Sequence, residues 1–157
     1  MCVNLIERKT GNLVAASIAL ISRQELAEIS KDKRFSLFDW KKEGHKEVYK
    51  LQLRSSGMII GLMSVTDHPE ELWLEIDLLE SSDENVGSRK EFQNIGGCLI
   101  AHACRLAFSR GYNGFVALRP KTVLKIYYHE KYGFKPAGLY LYSDVQNSLK
   151  LINAYLE

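Results

Sequence analysis

In EFQNIGGCLIAHACRLAFSRGY, residues 91–112, a short polar segment and two adjacent glycines, Gly96 and Gly97, precede an apolar run of helical length. The first turn of a helix has backbone N–H groups without partners and a partial positive charge, so an anion placed there gains hydrogen bonds without a lysine. The pair reads either as a simple turn into a helix or as a cradle in which a side chain would hold a phosphate away. Upstream, LWLEIDLLE sets Glu75 and Asp77 on one face of a strand roughly 7 Å apart, with Glu80 at the strand's end. Carboxylates so placed suit proton abstraction from an amine, or pairing with basic side chains. Downstream, Tyr127, Tyr128, His129 and Tyr132 crowd before Gly133-Phe134. A phenol keeps its proton for donation near neutral pH and an imidazole works in either direction, while the same rings also suit helix packing.

Other chemistries are disfavoured. Neither GxGxxG nor GxxxxGK[ST] occurs, so a dinucleotide fingerprint and nucleotide hydrolysis are not indicated. No His/Asp/Glu cluster has metal-ligand spacing, and no metal is expected. Cys2, Cys98 and Cys104 are odd in number and never spaced as CxxC, which predicts buried thiols rather than a disulfide framework or zinc site.

The elements that must position these groups fit one domain over residues 1–157, with 46% hydrophobic and 25% charged content. No leader pattern or bilayer-length apolar run is present, and a cytoplasmic protein without membrane partners is expected. A formal charge of +2 is too balanced to predict nucleic-acid binding and is compatible with a small anionic ligand.

VNLIE reads as a strand and NLVAASIAL as a strand or buried run; Ser22 and Glu25 have capping-box spacing before the short helix RQELAEIS. Residues 31–46, with Phe35, Phe38 and Trp40, have no stable period; they read as a loop or short helix that covers a cleft or is anchored by its aromatic rings. EVYKLQLR, MIIGLMSVTD and LWLEIDLL predict an antiparallel meander. In the last of these, Leu72, Leu74, Ile76 and Leu78 share one face, and Trp73, Glu75, Asp77 and Leu79 the other. Residues 80–93 read as a loop, followed by a helix from Gly97 to Arg110 capped by Gly111, with an apolar side against the sheet and a polar side at His102, Arg105 and Ser109. NGFVALRP is a strand, KTVLKIYYHEKY a helix and FKPAGLYLY a strand. A C-terminal helix has a capping box at Ser143 and Gln146 and an apolar row at Val145, Leu149, Ile152 and Leu156.

The run LEIDLLESSDENVGSRKEFQNIGGCLIAHACRLAFSRGYNGFVAL, followed by KTVLKIYYHEKYGF, resembles the core of the GCN5-related N-acetyltransferase (GNAT) superfamily over residues 72–142. The family's phosphate loop, [QR]xxGx[GA] continued by leucine, aligns with Glu91, Asn94, Gly96 and Leu99, with Glu and Asn replacing the first two consensus residues. A second register, Gln93-x-x-Gly96-x-Cys98, keeps the glutamine. Asparagine enters the left-handed backbone region more readily than most residues, which suits Asn94.

The resemblance implies an α/β (α+β) fold: a mixed, mostly antiparallel sheet flanked by helices, with a bulged, splayed strand. It implies that Leu78, Leu79 and Glu80 bind a pantetheine arm through their backbone, and that Asn94, Ile95, Gly96, Gly97, Cys98 and Leu99 hold the pyrophosphate. It places Glu75 as general base with Asp77 as its alternative, and Tyr128 as acid with His129 as its alternative; Arg89 and Lys90 would face the phosphates. The implied activity is direct acetyl transfer from acetyl-CoA to a primary amine. A non-catalytic acyl-CoA-binding domain and a toxin-like acetyltransferase of aminoacyl-tRNA are the competing readings. The implied partners are acyl-CoA and an amine-bearing acceptor, with a homodimer plausible from family habit and the acceptor pocket drawn from residues 22–46.

Overall fold

Alternating apolar and polar residues make strands of the first half of the chain. These are β1 (Cys2–Glu7), β2 (Leu13–Leu20), β3 (Glu47–Leu53), β4 (Ile59–His68) and β5 (Trp73–Ser81). Between β2 and β3, α1 (Arg23–Ile29) starts at a complete Ser22–Glu25 capping box. The second half alternates strands and helices: β6 (Phe92–Gln93), α2 (Ile95–Ser109), β7 (Val116–Leu118), α3 (Lys125–Tyr132), β8 (Lys135–Ala137), β9 (Tyr140–Ser143) and α4 (Val145–Tyr155). The computed structural model describes residues 1–120 and 124–156, with the side chain of Arg89 outside the described set. Lys121, Thr122 and Val123, expected to begin the α3 helix, therefore lie outside the described residues. No described helix is long and apolar enough to cross a membrane.

Among the described residues the strands form one sheet in the order β6-β1-β2-β3-β4-β5-β7-β9-β8. Every pairing is antiparallel except β5 with β7, so the fold is a mixed, mostly antiparallel sheet. β3, β4 and β5 are the expected meander. β5 stays paired with β4 as far as Ser81, whereas it meets β7 only at Leu74, Glu75 and Ile76. Beyond Ile76, the β7 side of β5 has no strand partner among the described residues.

A bulge accompanies this parting. Ser64 faces Leu78 and Val65 faces Ile76, which leaves Asp77 as the extra residue. The expected strict alternation is corrected accordingly: Leu79, not Leu78, joins Leu74 and Ile76 against the main core, while Leu78 packs into a second cluster with Trp40 and Leu62. Leu72 is exposed, with φ 63°.

The two clusters occupy opposite faces of the sheet, because adjacent strand residues such as Leu62 and Met63 divide between them. One face carries α2, which packs across β3, β4, β5 and β7 and against α4. The other carries α1 and residues 31–46, here called the strap, whose Phe35 and Trp40 are buried and whose residues Trp40–Glu43 form a single 3-10 turn. The expected polar side of α2 holds at Ser109, which is exposed, and at half-buried Arg105, but is corrected at His102, which is buried against Tyr49 of β3; Cys98 through Cys104 are buried without a break. Cys98 and Cys104 are thus inert thiols pushed up to about 12 and about 11, mainly by burial, whereas Cys2 is exposed, with its sulfur 2.7 Å from Arg54.

Three local expectations change. The N-cap of α4 is Asp144, which accepts from the Asn147 amide at 2.9 Å, because the Ser143 hydroxyl is turned inward to Ser148 at 2.7 Å. The buried side of α4 runs through Ser148, Leu151 and Ile152, leaving Val145 and Leu149 exposed. FKPAGLYLY forms a hairpin of two strands, turning at Gly138 with φ 62°.

His102 lies inside this packing, 8% exposed, edge-on to Tyr49 at 4.9 Å and without a hydrogen-bond partner for either ring nitrogen. Burial, aided by the positive N-terminus, Arg105 and Arg110, lowers its pKa from 6.5 to about 4. The unfolded chain therefore binds a proton that the folded chain refuses as pH falls from 6.5 towards 4, and folding loses roughly 3 kcal/mol over that window. We expect His102→Leu to show a smaller loss of unfolding free energy between pH 7 and pH 4.5, measured by denaturant titration. An unchanged loss would remove this account of acid sensitivity.

Candidate functional site

Where β5 leaves β7, a cleft of about 780 Å³ opens. Its walls come from both faces of the sheet. Ser36 and Leu37 of the strap, Leu79 to Ser81 of β5, and Lys90 and Phe92 beyond β5 contribute, as do Asn94 to Gly96 at the start of α2 and Tyr127, Tyr128, Lys131 and Tyr132 of α3.

The start of α2 has an unusual geometry. Asn94, its N-cap, sits in the left-handed region at φ 77° and makes no side-chain cap hydrogen bond. The first intrahelical bond runs from the Cys98 amide to the Asn94 carbonyl at 2.9 Å, so the amides of Ile95, Gly96 and Gly97 lie in the turn where a helix supplies no acceptor. Ile95 and Gly96 line the cleft. A Cβ on Gly96 would lie 3.2 Å from the Tyr132 hydroxyl and 4.0 Å from Leu79, so glycine leaves space over the turn. Gly97 faces elsewhere: its Cβ would lie 2.3 Å from the Tyr155 ring, and the glycine is what lets α4 approach α2. Cys98 and Leu99 are fully buried below the turn.

The β5 residues divide by side. Leu79 faces α2, Leu78 packs under the strap, and the Glu80 carboxylate, 5% exposed, accepts from Trp40 Nε1 at 2.6 Å and from the Leu37 amide at 3.0 Å. Loop 82–90 is braced by buried Asn85, which accepts from the amides of Glu91 and Phe92 at 3.2 and 2.9 Å and donates to Ser82 at 3.0 Å. Lys90 lines the cleft; the side chain of Arg89 lies outside the described residues.

Glu75 and Asp77 are not among the cleft-lining residues; they lie on the strap side of the sheet. Glu75 Oε1 is 2.9 Å from His68 Nε2, and His68 stacks on Trp73 at 4.1 Å. Asp77 accepts from Thr66 Oγ1 at 2.6 Å and lies 3.6 Å from Lys46 Nζ. Burial raises its pKa, reinforced by Glu75 and Glu43 and opposed by Thr66 and Lys46.

On α3, Tyr128 is half-buried at the cleft, and burial followed by the charge of Tyr127 holds its phenol above the ordinary value. It keeps its proton at neutral pH. His129 is exposed on the helix, where its Nδ1 donates to the Phe134 carbonyl at 2.7 Å. Lys131 stands 5.4 Å above the Tyr127 ring and 5.7 Å above Tyr132, adding a cation to the cleft wall. Among the described residues, no group of three or more His, Cys, Asp or Glu is placed to hold a metal ion.

Sequence reasoning pointed to the segment 31–46 without singling out Ser36 and Leu37, and missed Asn85, Lys131 and the His68 pairing with Glu75. Of these only His68 had a usable signal, since it lies across from Trp73 in the β4–β5 ladder that the meander requires.

No protein-family model matches the sequence, and no curated protein matches it. Solved structures do. A spermidine N-acetyltransferase SpeG chimera from Vibrio cholerae and hSSAT superposes with TM-score 0.63 at 14% identity, over 85% of this chain and 98% of that one. An aminoglycoside acetyltransferase in complex with coenzyme A and kanamycin gives 0.59 at 16%, over 86% and 98%. A GNAT family acetyltransferase from Brucella melitensis in complex with acetyl-CoA gives 0.56 at 14%, over 82% and 87%. These likenesses show the fold.

The separate placements of the two glycines are testable by stability alone. Gly97→Ala forces a methyl group into the Tyr155 ring and is expected to cost about 1–3 kcal/mol in denaturant unfolding. Gly96→Ala meets only a hydroxyl at 3.2 Å and should cost clearly less. Equal costs would undo the assignment of Gly97 to the α2–α4 contact.

Proposed function

We propose that this chain, which has the fold of the GCN5-related N-acetyltransferases, uses acetyl-CoA to acetylate a primary amine. The observation that carries this reading is the convergence on one cleft of the unpaired edge of β5, the uncapped start of α2 and the Tyr128 phenol.

The residues present fit such a cosubstrate. Amides at the start of α2 favour phosphate oxygens, the space over Gly96 keeps them accessible, and Lys90 and Lys131 add positive potential. Along Leu78 to Glu80, backbone groups that β7 leaves unpaired suit an extended arm carrying amides of its own. Acetyl-CoA supplies the activated thioester. Tyr128 then holds the proton for the departing sulfur, and Glu75, or Asp77, takes a proton from the amine on the strap side. Most of the rate would come from holding the two reactants together beside oriented backbone dipoles.

One observation favours a second reading, an acyl-CoA-binding domain without catalysis. The Glu75 carboxylate is already engaged by His68 and lies outside the cleft lining. Turnover distinguishes the two.

Calorimetric titration with acetyl-CoA, and with ATP as control, tests the site; selective binding of acetyl-CoA is expected. Gly96→Asp should weaken that binding at least about tenfold, through bulk and through like charge beside the phosphates. Tyr128→Phe should leave binding in place and lower kcat about tenfold or more in an acceptor screen of polyamines, aminoglycosides and peptide amines. Equal acetyl-CoA affinity in wild type and Gly96→Asp would remove the phosphate assignment. Turnover unaffected by Tyr128→Phe would remove the acid.

A further inference from the structure

Glu80 is the one β5 carboxylate whose backbone lies on the open edge and whose side chain is consumed by the strap. Both oxygens accept, one from an indole N–H and one from a backbone amide, and among the described side chains no cation pairs with it. A buried carboxylate held by neutral donors alone is a costly way to make a tether, because its desolvation is offset only by those two bonds. A carboxylate fork is nevertheless the acidic side chain's distinct capacity: two acceptors with no donor to clash with either N–H.

The strap has further anchors. The Arg34 guanidinium donates to the Ile59 carbonyl and lies 3.5 Å from Glu84, and the Asp83 amide donates to the Arg34 carbonyl at 2.9 Å. Between these anchors and Trp40, Ser36 and Leu37 line the cleft, and Leu37 is 65% exposed, with its amide held by Glu80. The cleft wall on the strap side is therefore held in place by a residue of the same edge that the arm would occupy.

We propose that Glu80 is a positioning residue that couples the two: filling the cleft along Leu78 to Glu80 steadies β5, and the Glu80 carboxylate transmits this to residues 36–40, ordering Ser36 and Leu37 as the wall against which the acceptor is placed. This rests on the coenzyme reading of the cleft. It makes acceptor selection dependent on prior occupancy, so that the amine meets a finished wall only when the cleft is filled.

The test is hydrogen exchange by mass spectrometry over residues 36–40 in wild type, Glu80→Gln and Trp40→Phe, without acetyl-CoA and at concentrations that saturate each protein, alongside calorimetry. Wild type is expected to slow exchange about tenfold or more on saturation, Glu80→Gln by less than about twofold, and Trp40→Phe, which keeps the Leu37 bond, by an intermediate factor. A merely structural clamp would raise basal exchange in the variants without changing the response to acetyl-CoA. Heat of binding in wild type with no change over 36–40 overturns the inference, as does a full response in Glu80→Gln. Should Glu80→Gln lose cooperative melting, Trp40→Phe decides, and a wild-type response there overturns it. No heat in wild type removes the coenzyme reading itself and this inference with it.

Discussion

The parting of β5 from β7 after Ile76 is the constraint on which the site depends. A strand inside a sheet has its backbone groups satisfied on both sides, and leaving one side unpaired at a half-buried position costs free energy unless water or a ligand takes up the bonds. Here the side that no described strand pairs faces a cleft. The bulge at Asp77 belongs to the same arrangement: it adds a residue to β5 but not to β4, increases local twist, and exchanges the faces beyond it. Because of that exchange Leu79 reaches the α2 side while Leu78 and Glu80 reach the strap. A regular strand would place Leu79 and Glu80 the other way round, and the strap would lose its anchor.

A second constraint fixes where the start of α2 lies relative to this edge. Side chains are excluded at close approaches around the helix. A Cβ on Gly61 of β4 would lie 2.8 Å from Ile95 and 3.1 Å from Leu99, and one on Gly97 would enter the Tyr155 ring. The first turn is thereby seated on the sheet from below and pressed by α4 from the side, and its free amides have one direction left to face. Rigid placement matters more here than at an ordinary helix terminus, since hydrogen bonds to an anion reward geometry that needs no rearrangement.

The element order apart from β6 and the β8–β9 hairpin, the meander, the α1 capping box and the left-handed Asn94 were legible because each is a local property with a local physical cause. Of the nine residues the resemblance assigns to the cosubstrate, Leu79, Glu80, Asn94, Ile95 and Gly96 line the cleft, whereas Leu78, Gly97, Cys98 and Leu99 do not. What was not legible depends on tertiary packing. A period-two pattern passes through a bulge unnoticed, so Leu78 and Leu79 were exchanged. The two glycines look alike in sequence, yet one leaves room over the amides and the other leaves room for Tyr155. His102 reads as polar because nothing local announces that it will pack against Tyr49 of β3. The strap has no periodicity at all, and its position is dictated by a carboxylate about 40 residues away, a contact no window of sequence contains.

The proposed chemistry also follows from how the sheet separates charge. On the cleft side, free amides and two lysines favour an anion. On the strap side, Glu43, Glu75 and Asp77 lie close together, with Lys46 shared between Glu43 at 3.3 Å and Asp77 at 3.6 Å. Glu75 has partners of its own there, His68 at 2.9 Å and the Arg119 charge nearby, so these carboxylates sit among basic groups on the strap side while the cleft side is left to the anion. Asp77 adds the complementary property. Thr66 and Lys46 support its ionised form, but burial and its acidic neighbours raise its affinity for a proton above that of a solvated carboxylate. In the proposed reaction a carboxylate so placed is more able than a solvated one to take a proton from an amine, and an amine that has lost that proton becomes a nucleophile.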